Sequence, residues 1–149
     1  MTHPLPAESE VRALRGHQFP GGEYTIEHWE NFLLTECTGA ELMPDGLVHP
    51  VALFHIPILG SRTSIAEMFA LGQAESDLSI LIESYDWELL VPLRENHCYR
   101  VSGAITEAQR LENDEGKPYD RIQFEFELHE QSVLTARVTV IWHYTRNTL

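Results

Sequence analysis

Between Arg121 and His129 apolar and polar side chains alternate without a break. Ile122, Phe124, Phe126 and Leu128 fall on one parity; Arg121, Gln123, Glu125, Glu127 and His129 fall on the other. Successive side chains of a strand point to opposite faces, so this segment has one dry face and one wet face, as in an antiparallel sheet. The same pattern recurs on either side of it. After the turn Glu130-Gln131-Ser132 come Leu134, Ala136, Val138, Val140, Trp142 and Tyr144. Before the charged, Gly116-bearing turn from Glu112 to Pro118 come Tyr99, Val101, Gly103 and Ile105. An earlier strand is predicted from Leu78, Ile80 and Ile82 through Trp87–Val91, where Pro92 ends it or places it at a sheet edge.

The first half has a different period. Thr25 is a candidate N-cap, and Ile26, Trp29, Phe32, Leu33 and Cys37 share one helical face that stops near Gly39. From Pro50 the chain is apolar nearly all round, which predicts a buried helix. Pro57 should kink it, because proline removes a helical donor and clashes with the preceding turn. Ser64 and Glu67 have capping-box spacing for a second helical segment that turns Ile65, Met68 and Phe69 to the core. Trp29, Phe54 and Phe69 read as core residues. Helices followed by a run of strands indicate an α+β domain, an antiparallel sheet wrapped around one apolar helix. Residues 1–15 read as a polar, flexible lead-in and 16–149 as a single domain. A chain of 149 residues buries roughly 70% of its unfolded surface and needs no staple.

A formal net charge of −13 argues against a sequence-independent nucleic-acid grip and against an anionic membrane surface. Cys37 and Cys98 imply no disulfide framework. There is no basic segment followed by an apolar run, and no apolar stretch approaches the roughly 18 residues of a membrane span. The expectation is a cytoplasmic protein. His49 and His55 are six apart, a spacing that does not align two ligands on a helix face, and no His-Glu-x-x-His segment occurs, so no metal is expected.

Several segments carry a resemblance. Gly16-His17-Gln18-Phe19-Pro20 and then Tyr24-Thr25-Ile26 resemble the entry of MaoC-like dehydratase domains, which have the hotdog fold. Gly46-Leu47-Val48-His49-Pro50 is similar to the turn that opens their central helix. Trp87-Glu88-Leu89-Leu90-Val91-Pro92 resembles a later strand, with Glu95-Asn96 where the family usually has Gly-Asp. The match spans residues 16–144. Gly16–Pro20 also resembles the Gly-His-Phe-Pro motif of another hotdog dehydratase branch. Here Gln18 interrupts that motif, and a separate helix intervenes before the buried one.

The resemblance implies hydration of an enoyl thioester or dehydration of a 3-hydroxyacyl thioester, with a CoA or carrier-protein thioester as ligand and no further cofactor. Such chemistry needs an acid/base pair and donors for the developing enolate. The family supplies an Asp and a His just after its first helix. At that point this chain reads Thr38-Gly39-Ala40, and only Glu41, Asp45 and His49 are near. Two roles are open to His49: acid/base group at the mouth of the central helix, or helix cap. Pro50 and Phe54 would line the acyl tunnel, and Arg94 would meet a CoA phosphate. Three functions follow: a hydratase/dehydratase subunit that lacks part of its own dyad, a non-catalytic acyl-thioester module, or a thioesterase using Glu67 or Asp45. Each implies a homodimer or a heterodimer with another hotdog subunit.

Overall fold

The computed structural model describes residues 4–147. Five strands form one antiparallel sheet: β1 (Gly22–Thr25), β2 (Ile80–Leu89), β3 (Cys98–Glu112), β4 (Pro118–Glu130) and β5 (Val133–Thr145). Their spatial order is β1-β3-β4-β5-β2, so β1 and β2 are the edges. The alternation in β4 is realised as read: Ile122, Phe124, Phe126 and Leu128 are all fully buried. They face the inward side chains of β3 and β5 through pairs such as Phe126↔Gly103 and Phe124↔Val140.

A bulge at Thr135 of β5 pairs Leu128 with Ala136 but wet-face His129 with Leu134, so that Leu134 leaves the inward parity expected of it. Two further bulges shift the parity that a strict period of two would give. One lies between Ile105 and Glu107 of β3, so the buried residue that follows Ile105 is Ala108. The other lies between Ile82 and Ser84 of β2. An extra residue in one strand leaves it unpaired and sharpens the local twist. In β2 that residue is Glu83, whose carboxylate takes a two-pronged bond from Arg121 at 2.8 Å and contacts His143 Nε2 at 2.8 Å on the outer face. Those partners hold the Glu83 carboxyl down at about 2.

The central apolar stretch is broken into three pieces: a 3-10 turn (Pro50–Phe54), α3 (Ile56–Gly60) and α4 (Ile65–Leu71). Pro57 does not kink an existing helix. It sits in the first turn of α3, where its missing N–H has no helical partner to lose. Ser64 caps α4 as expected, its hydroxyl accepting from the Glu67 amide at 3.1 Å. Gly60 lets α3 close on β3, since a Cβ there would meet Val101 Cγ2 at 2.6 Å. Ala52, Leu53, Ile56 and Met68 are completely buried, whereas Phe54, Leu59 and Ile65 are exposed. The helix is therefore not covered all round: the sheet wraps one side of it and leaves the other open near β2.

The helix between β1 and this stretch, α2 (His28–Thr38), corrects a further expectation. Its N-cap is Glu27, because Thr25 still belongs to β1. Trp29, Phe32, Leu33 and Cys37 face outward, with Trp29 60% exposed. The inward residues are Asn31 and Thr35. Asn31 is drawn inward by its bonds to the Leu47 carbonyl, the His49 amide and Glu95. Its end is as expected, at Gly39 with φ 77°. The lead-in contains a helix, α1 (Glu8–Arg12), that buries Val11 and packs on β3; residues 1–3 lie outside the described part. Among the described residues no helix is long and apolar enough to cross a membrane.

Candidate functional site

A cavity of about 460 Å3 opens where the broken helix leaves β2 and β5 uncovered. Ile80, Ile82, Tyr85 and Trp142 form its sheet wall, and Phe54, Ile58, Leu59, Ile65 and Phe69 its helical wall. Phe54 stacks on Tyr85 at 5.2 Å between centroids, and Phe69 meets Trp142 edge-on at 5.4 Å. Phe54 and Phe69 are thus cavity walls rather than closed core. Burial pushes the Tyr85 phenol pKa above its ordinary value. A largely apolar cleft with a few polar groups at its margin has the size and character of a small-molecule site. Those polar groups are His55, Ser64 and Asp77.

His55 is the only polar side chain between Pro50 and Leu59. It terminates the 3-10 turn and precedes α3. Its Nε2 lies 2.9 Å from Glu30 Oε1, and the same oxygen accepts from the Tyr24 hydroxyl at 2.7 Å. Glu30 comes from α2 and is 12% exposed at its side chain. Tyr24 comes from β1 and meets the His55 ring edge-on. Burial, together with the hydrogen bond to Glu30 and that group's negative charge, raises the Tyr24 phenol pKa. Three elements thus converge on one carboxylate beside the cavity.

Phe54 apart, the expected site residues lie outside this cavity. His49 is a cap: its Nδ1 accepts from the Val51 amide at 3.0 Å at the start of the 3-10 turn. Asp45 is exposed at the tip of a turn, with φ 61°, and Glu41 is exposed in the loop before it. Neither belongs to the cavity wall. Pro50 opens the 3-10 turn behind that wall, so it does not line the cavity. Arg94 is exposed, bridges to Leu47 and donates to the Asp45 carbonyl at 3.2 Å. Of the residues expected to line a ligand, only Phe54 stands in the cavity wall.

A second polar cluster fixes the loop that carries His49. Asn31, 1% exposed, donates to the Leu47 carbonyl at 3.0 Å and to Glu95 Oε1 at 2.8 Å. Its own oxygen accepts from the His49 amide at 3.1 Å. His28 Nδ1 also lies 2.9 Å from Glu95 Oε1. Asn31 first, and His28 with it, hold the Glu95 carboxyl pKa below the usual carboxylate range. Glu95 stands where the resemblance placed Gly-Asp, and its role is to tie α2 to the loop. Among the described residues no cluster of His, Cys, Asp or Glu is arranged to hold a metal ion.

Neither a family model nor a curated protein matches the sequence. Solved structures match across nearly the whole chain. The ChsH1-ChsH2 complex of Mycobacterium tuberculosis superimposes at TM-score 0.66 and 7% identity over 95% of this chain and 90% of that one. The C-terminally truncated HadBC (3R-hydroxyacyl-ACP dehydratase) complex of the same organism does so at TM-score 0.64 and 9% identity, covering 87% and 96%. The monoamine oxidase regulatory protein of Archaeoglobus fulgidus does so at TM-score 0.63 and 12% identity, covering 90% and 92%. The chain has the hotdog fold. Its hotdog sheet and broken central helix agree with the architecture expected from the MaoC-like segments. Structures described as a predicted thioesterase from Bacillus stearothermophilus and a probable thioesterase from Bartonella henselae also match, at TM-score 0.52, so the hotdog likeness does not by itself choose a reaction.

Proposed function

We propose that this chain is an acyl-thioester-binding subunit of the MaoC-like hydratase/dehydratase type, with CoA or a carrier protein as the thiol. The observation that carries the proposal is the cavity between the broken central helix and β2–β5. An acyl chain entering it exchanges water for Ile58, Ile80, Phe69 and Trp142, at roughly 0.8 kcal/mol per buried CH2. Isothermal titration with saturated acyl-CoAs of increasing length tests this directly. Affinity should rise with chain length, and Ile65→Trp, which fills the half-exposed rim, should weaken binding about tenfold, equal to about 1.4 kcal/mol. Length-independent or absent binding would refute the assignment.

The same reading includes a partner. The edge strand β2 is ten residues long and exposes Leu81, Ile82, Trp87 and Leu89. A long apolar edge with unpaired backbone groups is a template for another strand. We assign it to pairing with a second hotdog subunit, either another copy or a different chain. The HadBC and ChsH1-ChsH2 structures are themselves complexes. Sedimentation of the purified chain should give a dimer, or a monomer that becomes a heterodimer when its partner is supplied; an edge that stays free with every hotdog partner tried contradicts the pairing.

A purely non-catalytic module is favoured by one specific observation: His49 is committed to the cap, while Ala40 stands where the resemblance to the MaoC-like family would place an Asp. The thioesterase reading has less support. Glu67 accepts from the Thr63 hydroxyl at 3.0 Å at the start of α4, and Asp45 lies off the cavity.

A further inference from the structure

The Tyr24–Glu30–His55 chain is used by nothing described above. We infer that His55 is the acid/base group of this chain, oriented by Glu30, and that it replaces the pair missing around Ala40. The inference rests on the reading that the cavity holds an acyl thioester.

The geometry supports it in three ways. First, placing an imidazole in an otherwise apolar helix costs desolvation unless it is paired. Here the pairing uses only one ring nitrogen. Nε2 faces Glu30, so in the neutral ring Nε2 carries the proton and donates it. Nδ1 is then the lone-pair nitrogen, and it makes no hydrogen bond among the described residues. Second, a carboxylate behind an imidazole fixes its tautomer and orientation and stabilises the cation formed on proton uptake. Glu30 is itself held by the Tyr24 hydroxyl at 2.7 Å, so it has little freedom to rotate away. Third, His55 is a cavity wall residue, next to Phe54 and one turn before Ile58 and Leu59. A group that served only to tie β1 and α2 to the helix would not need to border the apolar cleft.

The chemistry balances with these groups alone. Nδ1 takes one proton from a water molecule as the water oxygen bonds to C3 of the enoyl thioester. The electron pair of the C2=C3 bond moves toward the thioester carbonyl to give the enolate. The proton on Nδ1 then passes to C2, leaving a 3-hydroxyacyl thioester and neutral His55. The net change is addition of water, and dehydration is the same path reversed. Glu30 touches no substrate atom and is a positioning residue.

The test combines binding and turnover on the full chain in its native oligomer. Crotonyl-CoA hydration is followed by loss of the conjugated thioester absorbance, and butyryl-CoA binding by titration. Thermal melting of each variant establishes folding. The wild type should bind and turn over. His55→Gln, which retains a donor toward Glu30, should still bind butyryl-CoA and lose about 100-fold or more in kcat, within the range of a positioned acid/base group. Glu30→Gln should lower kcat with KM held, and Glu30→Asp should recover part of the loss; a merely structural tie would move melting temperature without this split. Butyryl-CoA binding without hydration by the wild type, or full hydration by folded His55→Gln, overturns the role of His55 while leaving the acyl pocket standing. Absence of butyryl-CoA binding removes the pocket assignment and this inference with it.

Discussion

Replacing Asp120 with alanine should destabilise the fold by about 3–5 kcal/mol, the cost of breaking a buried ion pair from one side. Asp120 is fully buried on β4. One of its oxygens accepts from Arg110 Nε at 2.7 Å, and the other accepts from Arg110 Nη2 at 3.0 Å and Arg146 Nε at 2.8 Å. The arginines continue the network outward: Arg110 donates to the Pro6 carbonyl at 2.7 Å, and Arg146 donates to the carbonyls of Gly72 and Gln73 at the end of α4. One carboxylate therefore joins the N-terminal segment, α4, β3, β4 and the residue after β5. Its hydrogen bonds raise the Arg110 pKa. In Asp120→Ala the guanidinium of Arg146, 0% exposed at its side chain, would remain buried without a counter-charge. A loss of this size is a large part of the roughly 5–15 kcal/mol that holds a domain together. Urea unfolding of the variant beside the wild type measures it. A change below about 1 kcal/mol, the scale of an exposed ion pair, would show that the network is solvated in solution.

The second large effect is expected at Asn31. Alanine there leaves the part-buried His49 amide and Leu47 carbonyl without their partner and takes away the amide that Glu95 accepts from; an orphaned group costs about 1–3 kcal/mol when burial is complete. We expect a loss of about 3 kcal/mol in total at neutral pH. The variant should also respond differently to acid. In the wild type the folded Glu95 carboxyl pKa lies below its unfolded value, held down first by Asn31 and then by His28. Its contribution is therefore present above the unfolded pKa and is lost as pH falls through the folded one. Asn31→Ala removes the larger cause, so the stability gap between wild type and variant should narrow on acidification. Unfolding curves at neutral pH and at about pH 3, below the ordinary carboxylate range, provide the check. A gap that is constant with pH would mean that Asn31 acts on the backbone alone and not through Glu95.

The strands and the site differ sharply in how far the sequence determines them. The alternation through Ile122–Leu128, the inward residues of β3 and β5, the Gly39 stop and the Ser64 cap are local: each follows from a period or a cap within a few residues. They carried the architecture. The outward turn of Trp29, Phe32 and Leu33 was not legible, because a helical apolar face does not say what lies opposite it. Asn31 turns inward only because Glu95, sixty-four residues away, and the Leu47–His49 backbone are folded against it. The bulge at Glu83 likewise depends on its pairing with β5.

The candidate site belongs mostly to the second class. The resemblance points to His49, Asp45 and Glu41 by their place after the first helix, whereas the structure puts His49 on a cap and the two carboxylates in solvent. His55 carried one local signal, its isolation within the apolar run from Pro50 to Leu59. Nothing local indicated that Glu30, twenty-five residues earlier, would meet it. Strand and helix periods are properties of short segments and can be read from side-chain order alone. The hydrogen-bonded chain from β1 through α2 to the central helix exists only once the fold has brought His55 to the Tyr24–Glu30 pair, twenty-five residues before it, within 3 Å. For this protein the order of residues determined the dry and wet faces. Tertiary packing decided which polar group borders the cavity.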